Sequence, residues 1–574
     1  MKKNNALEII FYCLFCVLTI VLSIHHEPWF DEIQAWAISK DSISNILFFL
    51  PHYEGHPPLW HLILKCFSYF NVPVEYGIKI PNLLFMFGAV WLLIFKAPFP
   101  RVLRLVLPFT YFVFYQYVVL SRPYSIFCFA IFLAAYFYKS RDEHPYKFMC
   151  ALALLCLSSA YGMIFTAGIC IAWFIDILKE GQIKKIFLDK RFYSMFILFI
   201  VCLLLVLELS PAKNVFAFSN FANNIPKDYT IRFLSAFFIL PAEASITNFF
   251  DYITIEIFDV DFKNLLSFYS NPEINTFVFN FWGCCLIGLF INWLLFLFFR
   301  KMEYLISFFI PYFMFLFFVF ILYVQIHHIG LLFLYVIFSF WCIFSSKKID
   351  LSVNYKKILK VSLGIILLTQ LYWSICSAYS DIRYSYSPAR ELTNFIKENN
   401  LTEHKILGVW STYYALLNKE TNKRHISHVS VSDRAQYYTD EEVLKDYVIK
   451  SFSFLNHQHS SVVLNSYFNK NIFYNFNIQN PEREYLYHIT MTPEQSNYEK
   501  ELIKKVGLPD VIVGQASLDL IFDEYNVLSK NYRVMDTFRS SFIWKDKMTD
   551  SELPIYMRRD LYYNWIKKKY EKSN

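Results

Sequence analysis

The chain has 574 residues, of which 56% are hydrophobic, 20% are aromatic and only 18% are charged. Soluble domains carry about 25% charged residues, so much of this chain is predicted to lie in lipid rather than in water. The net charge of +7 is divided among short basic runs between apolar segments, which argues against nucleic-acid binding. All twelve cysteines lie at or before Cys376, mostly within apolar runs, and are predicted to be free thiols.

Apolar segments long enough to cross a bilayer recur from the N-terminus to about residue 380. The first begins after two lysines, but no small-residue cleavage site follows it, so it is predicted to be a retained helix rather than a signal peptide. The predicted fold class is an α-helical polytopic membrane protein with about eleven transmembrane helices. The predicted spans are Leu7–Ile24, Gly77–Phe95, Leu103–Leu120, Pro123–Tyr138, Tyr146–Tyr161, Met163–Leu178, Phe192–Pro211, Asn275–Phe299, Tyr304–Gln325, Ile329–Ser345 and Ile358–Tyr379.

Basic residues predict the orientation of these spans. The N-terminus and alternate turns such as "KSRDEHPYK" and "KEGQIKKIFLDKR" are basic, so they are predicted to be cytoplasmic. The remaining connections are predicted to be external, including a first loop over residues 25–60 and a long loop over residues 212–274. The segment "HPPLWHLILKCFSYF" is short and carries His61 and Lys65, so it is predicted to lie in the external interface without crossing.

Residues 381–574 differ in composition from the apolar part and predict an extracytoplasmic α/β domain. Helices are predicted at "SPARELTNFIKENN", "TDEEVLKDYVIK" and "TPEQSNYEKELIKKVG", the last two opening with capping boxes and the last ending at Gly507. Short buried strands are predicted at "KILGVW", "SSVVLNSY" and "DVIVGQ". The domain has no glycine-rich phosphate loop, which argues against nucleotide-driven chemistry there.

Two polar clusters lie in the first external loop. In "FDEIQAW", the paired acids Asp31 and Glu32 are suited to accept a proton from an acceptor hydroxyl, although acids are also common in the first turn of a helix. In "YEGHPPLW", Glu54 and His56 flank a glycine before a proline pair, a pattern that is equally typical of a rigid junction between a loop and a helix.

Two further clusters lie on the same predicted side of the membrane. In "LSRPYS", Arg122 could hold a lipid-linked phosphate or extend to lipid headgroups. In "QIHHIG", His327 and His328 could bind a phosphate or accept a proton, and interfacial histidines without a function are the alternative. Each cluster alone is a weak signal. Because all four lie on the predicted external side of the membrane, together they predict a functional site on that side.

These motifs resemble the GT-C superfamily of polytopic glycosyltransferases, in particular bacterial relatives of protein O-mannosyltransferases and lipid A aminoarabinose transferases. The resemblance rests on "FDE" after the first span, "EGHPPL" before the next helix and "SRPY" at a later external turn, and it covers residues 1–380. It implies a bacterial inner-membrane enzyme that transfers a sugar, with inversion, from a polyprenyl-phosphate donor to an extracytoplasmic glycan, lipid or protein.

The resemblance also implies roles for the residues of the first loop. Asp31 would be the general base or would orient the acceptor, and Glu32 would help to set its charge state. Glu54 and His56 would line the donor phosphate or sugar.

The later motifs receive substrate-binding roles by the same resemblance. Arg122 and Tyr124 occupy a turn where some relatives carry a second acid, so the arginine suggests direct phosphate binding and puts a two-acid metal site in doubt. A divalent cation is the only cofactor for which the resemblance leaves room. His327 and His328 lie where similar proteins often have a basic residue.

Three other functions fit parts of the same pattern. A lipid-linked sugar transporter or flippase would place polar groups near the midplane of the spans, where this sequence has almost no charge. A polysaccharide polymerase or ligase with a lipid diphosphate donor shares the polytopic architecture and external arginines. An inactive scaffold whose C-terminal domain binds a partner is the third alternative.

Overall fold

A computed structural model describes most of the chain. The described residues are 5–179, 189–210, 229–246, 274–322, 326–346, 352–408, 412–418, 424–429, 447–453, 461–474, 501, 503–514, 518, 522, 524, 526–544 and 547–573.

The described part is mostly helical. The α-helices, numbered in chain order, are α1 Ala6–His25, α2 Phe30–Ser39, α3 Ile43–Phe48, α4 Pro51–Glu54, α5 Leu59–Tyr69, α6 Val74–Phe95, α7 Arg101–Val106, α8 Tyr124–Tyr138, α9 Pro145–Cys156, α10 Ala160–Lys179, α11 Lys190–Glu208, α12 Tyr229–Leu234, α13 Leu240–Ile246, α14 Ile274–Lys301, α15 Leu305–Leu322, α16 Ile326–Ser346, α17 Val353–Arg383, α18 Ala389–Glu398, α19 Ser461–Phe468, α20 Val527–Asn531 and α21 Arg559–Ser573. Short 3₁₀ or π turns occupy Leu107–Phe109, Phe112–Gln116, Ser235–Ile239 and Leu401–Glu403.

Seven of the described helices are long and apolar enough to cross a membrane, namely α1, α6, α10, α11, α14, α16 and α17. Each coincides with a predicted span. Three more predicted spans coincide with the shorter apolar helices α8, α9 and α15. The total of eleven crossings stays a prediction.

The predicted span Leu103–Leu120 does not form a continuous helix. It breaks after α7 into a 3₁₀ turn and a π-helical turn. Pro108 has no backbone N–H and its ring obstructs the preceding turn, and Thr110 follows in an extended conformation. Hydrophobicity alone does not register this interruption, so the prediction of one helix was wrong.

The predicted external loop 212–274 contains helical structure. Residues 229–246 form α12, a π turn and α13, which pack against α14. At Gly288 of α14 a β-carbon would overlap the backbone carbonyl of Phe238, so the glycine permits this close approach. Prediction of a loop was therefore wrong for these residues, and the rest of that loop lies outside the described residues.

Helix α5 agrees with the predicted interfacial segment. Its 11 residues extend for about 16 Å, which is too short to cross hydrocarbon. It buries Trp60, His61 and Leu64 and packs against α2 and α6. The aromatic side chains of Tyr69 and Phe70 at its end are exposed, as is typical of a membrane interface.

The C-terminal part contains two small sheets. The strands are β1 Ile406–Gly408, β2 Thr412–Asn418, β3 Arg424–Val429, β4 Tyr447–Ser453, β5 Val511–Val513, β6 Tyr532–Trp544 and β7 Lys547–Arg558. The first sheet has the order β1-β5-β7-β6, with β1 and β5 parallel and the other pairs antiparallel. The second is antiparallel with the order β3-β2-β4.

Sequence predictions in this part had mixed outcomes. The helix at α18 and the strands at β1 and β5 are confirmed, and Gly507 has the left-handed conformation expected of a helix stop. The predicted strand "SSVVLNSY" is instead the helix α19, because Val463 and Leu464 pack into a core beside α2 and α18. The end of the predicted helix "TDEEVLKDYVIK" lies in β4, and its beginning lies outside the described residues.

One hydrophobic core joins the first loop to the C-terminal part. Ile33 and Trp36 of α2 and Trp60 of α5 share this cluster with Leu392 of α18 and Val511 of β5. The loop is therefore held by the C-terminal residues rather than suspended in solvent.

The approach of α2 to α6 depends on Gly77. A β-carbon at Gly77 would overlap the Trp36 ring. We expect Gly77→Ala to destabilise the protein by about 1–3 kcal/mol through overpacking, measured by thermal unfolding of the purified protein. Gly283→Ala is the matched control, since a β-carbon there meets nothing within 4 Å. Trp36→Phe should restore part of the loss, and a Gly77→Ala protein as stable as its control would contradict the packing.

Candidate functional site

Helix α2 turns one of its two acids inward and the other outward. Its first turn is closed by Glu32, whose carboxylate accepts the Trp29 backbone N–H at 3.1 Å in a capping box. Glu32 is completely buried, whereas the Asp31 side chain is 25% exposed. Adjacent acids thus have different environments.

Glu32 belongs to a buried group of charged side chains. His26 Nε2 lies 3.0 Å from Glu32 Oε2, and His26 Nδ1 lies 3.1 Å from Asp381 Oδ2 near the end of α17. The Lys79 ammonium donates a 2.7 Å hydrogen bond to the His26 carbonyl, and the Tyr386 ring packs edge-on against the imidazole. We call His26, Glu32 and Asp381 the buried triad.

The buried triad holds a charged imidazole. Burial alone would lower the pKa of His26, but the carboxylates of Asp381 and Glu32 raise it to about 9. Burial would likewise raise the pKa of Glu32, yet the imidazolium and two backbone N–H donors lower it below its ordinary value. A cation is therefore fixed between two anions at neutral pH.

The same glutamate brings Asp31 and Arg122 together. Glu32 Oε1 accepts the Ser121 backbone N–H at 2.6 Å, so the residue after Asp31 binds the residue before Arg122. Arg122 Nη1 then lies 3.2 Å from Asp31 Oδ2 and donates a 3.0 Å hydrogen bond to the Asp31 carbonyl. Both side chains of this ion pair keep some exposure, 25% for Asp31 and 14% for Arg122.

Two uncharged histidines lie near this ion pair. Burial first, and then the positive charge of Arg122, lower the pKa of His56 and of His61 to about 3. Nδ1 of His56 is shielded from solvent and has no hydrogen-bond partner among the described residues. A buried polar atom of this kind is uncommon and fits a site that a ligand completes.

A third histidine lies buried close to the Arg122 turn. Tyr124 follows the Arg122 turn, and its hydroxyl lies 2.6 Å from Nε2 of His328. The Tyr161 hydroxyl lies 3.0 Å from the other ring nitrogen, Nδ1. The His328 imidazole is therefore fixed from both sides, within the helical bundle and close to the Arg122 turn.

The structure brings together many of the residues that the sequence singled out. Asp31, Arg122 and Tyr124 form one group, with His56 and His328 beside it. Their roles stay predictions.

Glu32 lies behind this group. Glu32 has no exposed surface, and its carboxylate binds His26 and the backbone N–H groups of Trp29 and Ser121, so its geometry fits a positioning residue rather than a group that touches substrate. Glu54 ends α4 and His327 lies in α16, but their side chains lie outside the described residues.

Sequence reasoning missed the residues that position the site. His26 and Asp381 are 355 residues apart, so no local pattern links them. His61 appeared only as a polar residue of an interfacial helix, and Tyr161 as the end of an apolar run. The one available signal was His26 itself, which lies five residues before Asp31 in the first loop.

A second group of charges connects the first loop to the C-terminal part. Arg390 of α18 lies 2.6 Å from Glu75 and 3.9 Å from Glu27, and its backbone N–H donates to Glu27. The Tyr467 hydroxyl donates to the same Glu75 carboxylate. Burial raises the pKa of Glu27 to about 7, although Arg390 opposes the shift.

Within the described residues, no three His, Cys, Asp or Glu side chains are arranged to hold a metal ion. Comparison of the chain with protein-family models, curated proteins and solved structures gives no match.

Loss of the His26 cation from the buried triad should strongly destabilise the protein. We expect His26→Gln to cost about 3–5 kcal/mol, because it removes the cation and leaves two buried carboxylates uncompensated. Thermal unfolding of the purified protein measures the loss. His25→Gln is the matched control, since His25 is the exposed neighbour. Equal melting temperatures for the two variants would contradict a charged triad.

Glu27 should make stability depend on pH. Its native pKa of about 7 lies above the ordinary value of 4.5, so the neutral form favours folding. That contribution is complete below about pH 4.5 and is lost as the pH rises towards 7. Glu27→Gln should therefore stabilise the protein at pH 8, by roughly 1–3 kcal/mol, and leave it unchanged at pH 4.5.

Melting curves of this variant at both pH values are the measurement. Glu398→Gln, an exposed acid on the same helix as Arg390, should show no difference at either pH. A Glu27→Gln protein that is less stable at pH 8 than at pH 4.5, relative to wild type, would refute the assignment.

Proposed function

We propose that the chain is a membrane glycosyltransferase that takes a sugar from a polyprenyl-phosphate donor and transfers it to a hydroxyl of a glycan, lipid or protein. The observation that carries this proposal is the Asp31–Arg122 ion pair, 3.2 Å apart and partly exposed, with neutral histidines and tyrosines around it. A base and an anion-binding group side by side are what such a transfer needs.

The proposal gives each residue of the group a chemical task. Arg122 binds the donor phosphate through guanidinium N–H donors. Asp31 is released from Arg122 as the phosphate binds. It then takes the proton of the acceptor hydroxyl while the oxygen of that hydroxyl attacks the anomeric carbon of the sugar. The bond to the phosphate oxygen breaks with inversion, and polyprenyl phosphate leaves with its negative charge held by Arg122.

Two histidines, His56 and His328, fit the same reaction. Nδ1 of His56, which lacks a partner among the described residues, is available to a phosphate or sugar oxygen. His328, fixed between Tyr124 and Tyr161, is placed to orient the tyrosine next to Arg122. Uncharged imidazoles can bind a sugar hydroxyl without competing with Arg122 for the anion.

The proposed membrane arrangement follows the basic turns. About eleven crossings and a cytoplasmic N-terminus put the first loop and the C-terminal part outside a bacterial inner membrane. The shared core of α2, α18 and β5 supports the placement of both parts on one side.

The test separates donor binding from transfer. Full-length protein in nanodiscs is titrated with a short-chain polyprenyl monophosphate, and release of that phosphate is measured from synthetic polyprenyl-phosphate sugars. Arg122→Gln should weaken binding about tenfold or more. Asp31→Asn should bind the monophosphate at least as tightly as wild type, because a competitor for Arg122 is neutralised, and yet transfer about 10²–10⁴-fold more slowly.

Asp536→Asn, an exposed acid on β6, is the control and should leave both measurements unchanged. Equal transfer by Asp31→Asn and wild type would end the base assignment. Tighter binding of a polyprenyl diphosphate than of the monophosphate would favour the polymerase or ligase alternative, and movement of the donor across liposomes without product would favour a flippase.

A further inference from the structure

A long apolar cavity lies within the helical bundle, apart from the Asp31–Arg122 ion pair. Its volume is about 570 Å³, and it is enclosed by α13, α14, α16 and α17 together with the residues around α7. Phe333 and Phe340 of α16 and Ile291 and Phe298 of α14 are typical of its walls. No carboxylate is among the described residues that line it.

The cavity is elongated along the helices. It follows α16 from Leu332 to Phe344, a distance of about 18 Å, and α17 from Lys356 to Ile366, about 15 Å. That length and apolar character suit an extended acyl chain better than a compact polar ligand.

The cavity ends at two lysines. Lys356 and Lys360 lie one helical turn apart on α17, and both are exposed while lining the cavity. Neither lysine has a carboxylate within ion-pair distance in the described part of the chain. The C-terminal end of α14 adds Arg300 and Lys301 to the same basic side of the membrane.

We infer that this cavity binds an anionic phospholipid from the leaflet on the basic side, with an acyl chain between α14, α16 and α17 and the phosphate on Lys356 and Lys360. Two lysines at the end of an apolar channel, without an ion-paired carboxylate among the described residues, are complementary to a lipid of this shape and charge. A zwitterionic lipid would fill the channel equally well, but its headgroup would be attracted less strongly to the two lysines.

This lipid is distinct from the proposed donor. His328 lies next to the Arg122 turn, and Phe344 lines the cavity near its two lysines. These two residues are 16 positions apart on α16, which corresponds to about 24 Å along the helix. A phosphate on the lysines is therefore too far from Arg122 to take part in transfer.

The experiment counts bound lipid. Full-length protein is stripped of lipid in detergent and titrated with phosphatidylglycerol or phosphatidylcholine of identical chains, and complexes are measured by native mass spectrometry. Wild type should prefer phosphatidylglycerol. Lys356→Gln with Lys360→Gln should weaken its binding roughly 30-fold, about fivefold for each lysine near an anionic headgroup, and should leave phosphatidylcholine unaffected.

The chain offers a matched control and a second variant. Lys357→Gln removes a lysine that is also exposed but does not line the cavity. This variant should bind both lipids as wild type does. Leu363 is partly exposed and lies in the cavity wall. Leu363→Trp should weaken the binding of both lipids, because the larger side chain would occupy the acyl channel. Unchanged melting temperatures verify that each variant is folded.

Three outcomes would overturn the inference. One is equal affinity of wild type for the two lipids, and another is a loss in Lys357→Gln as large as that in the double variant. The third is displacement of phosphatidylglycerol by a short-chain polyprenyl monophosphate, which would assign the cavity to the donor. Transfer activity is not part of this measurement, so its result stands whether or not the proposed function holds.

Discussion

The His26 imidazolium, buried between Glu32 and Asp381, is the interaction on which the candidate site depends. Charge burial is costly, and a buried ion pair seldom adds net stability. Here it supplies geometry, because it joins the end of α1 to the end of the neighbouring helix α17. Through the Glu32 bond to the Ser121 N–H, the same network sets Arg122 opposite Asp31. The exposed ion pair is thus a consequence of the buried one.

The first loop is fixed from its other side as well. Arg390 reaches Glu75 and Glu27, and the core around Trp36 includes residues of α18 and the first sheet. A loop held on both sides by packed elements keeps its side chains in place, and such preorganisation would lower the entropic cost of the proposed reaction. The C-terminal part therefore takes part in shaping the loop, whatever else it binds.

The sequence predicted those features that local pattern determines. Long apolar runs marked seven helices, and the motifs around Asp31 and Arg122 marked side chains that do meet. Two kinds of feature were missed. The break at Pro108 depends on local geometry that hydrophobicity does not record. Distant partners set the others: α19 is a helix because of its contacts with α2 and α18, which overrode local propensity, and the pairing of His26 with Asp381 joins opposite ends of the apolar part.

The histidines of this region show how one residue type acquires opposite charge states. His26 is buried between carboxylates and is the imidazolium cation, whereas half-buried His56 and buried His61 lie near Arg122 and are neutral. Positive charge is therefore neutralised inside the buried triad and left concentrated on Arg122 at the partly exposed side. Arg122 is paired with Asp31, and the neutral imidazoles of His56 and His61 lie near it. In the proposed reaction, a phosphate that binds Arg122 would displace the Asp31 carboxylate from it, so donor binding and release of the proposed base would be parts of the same event.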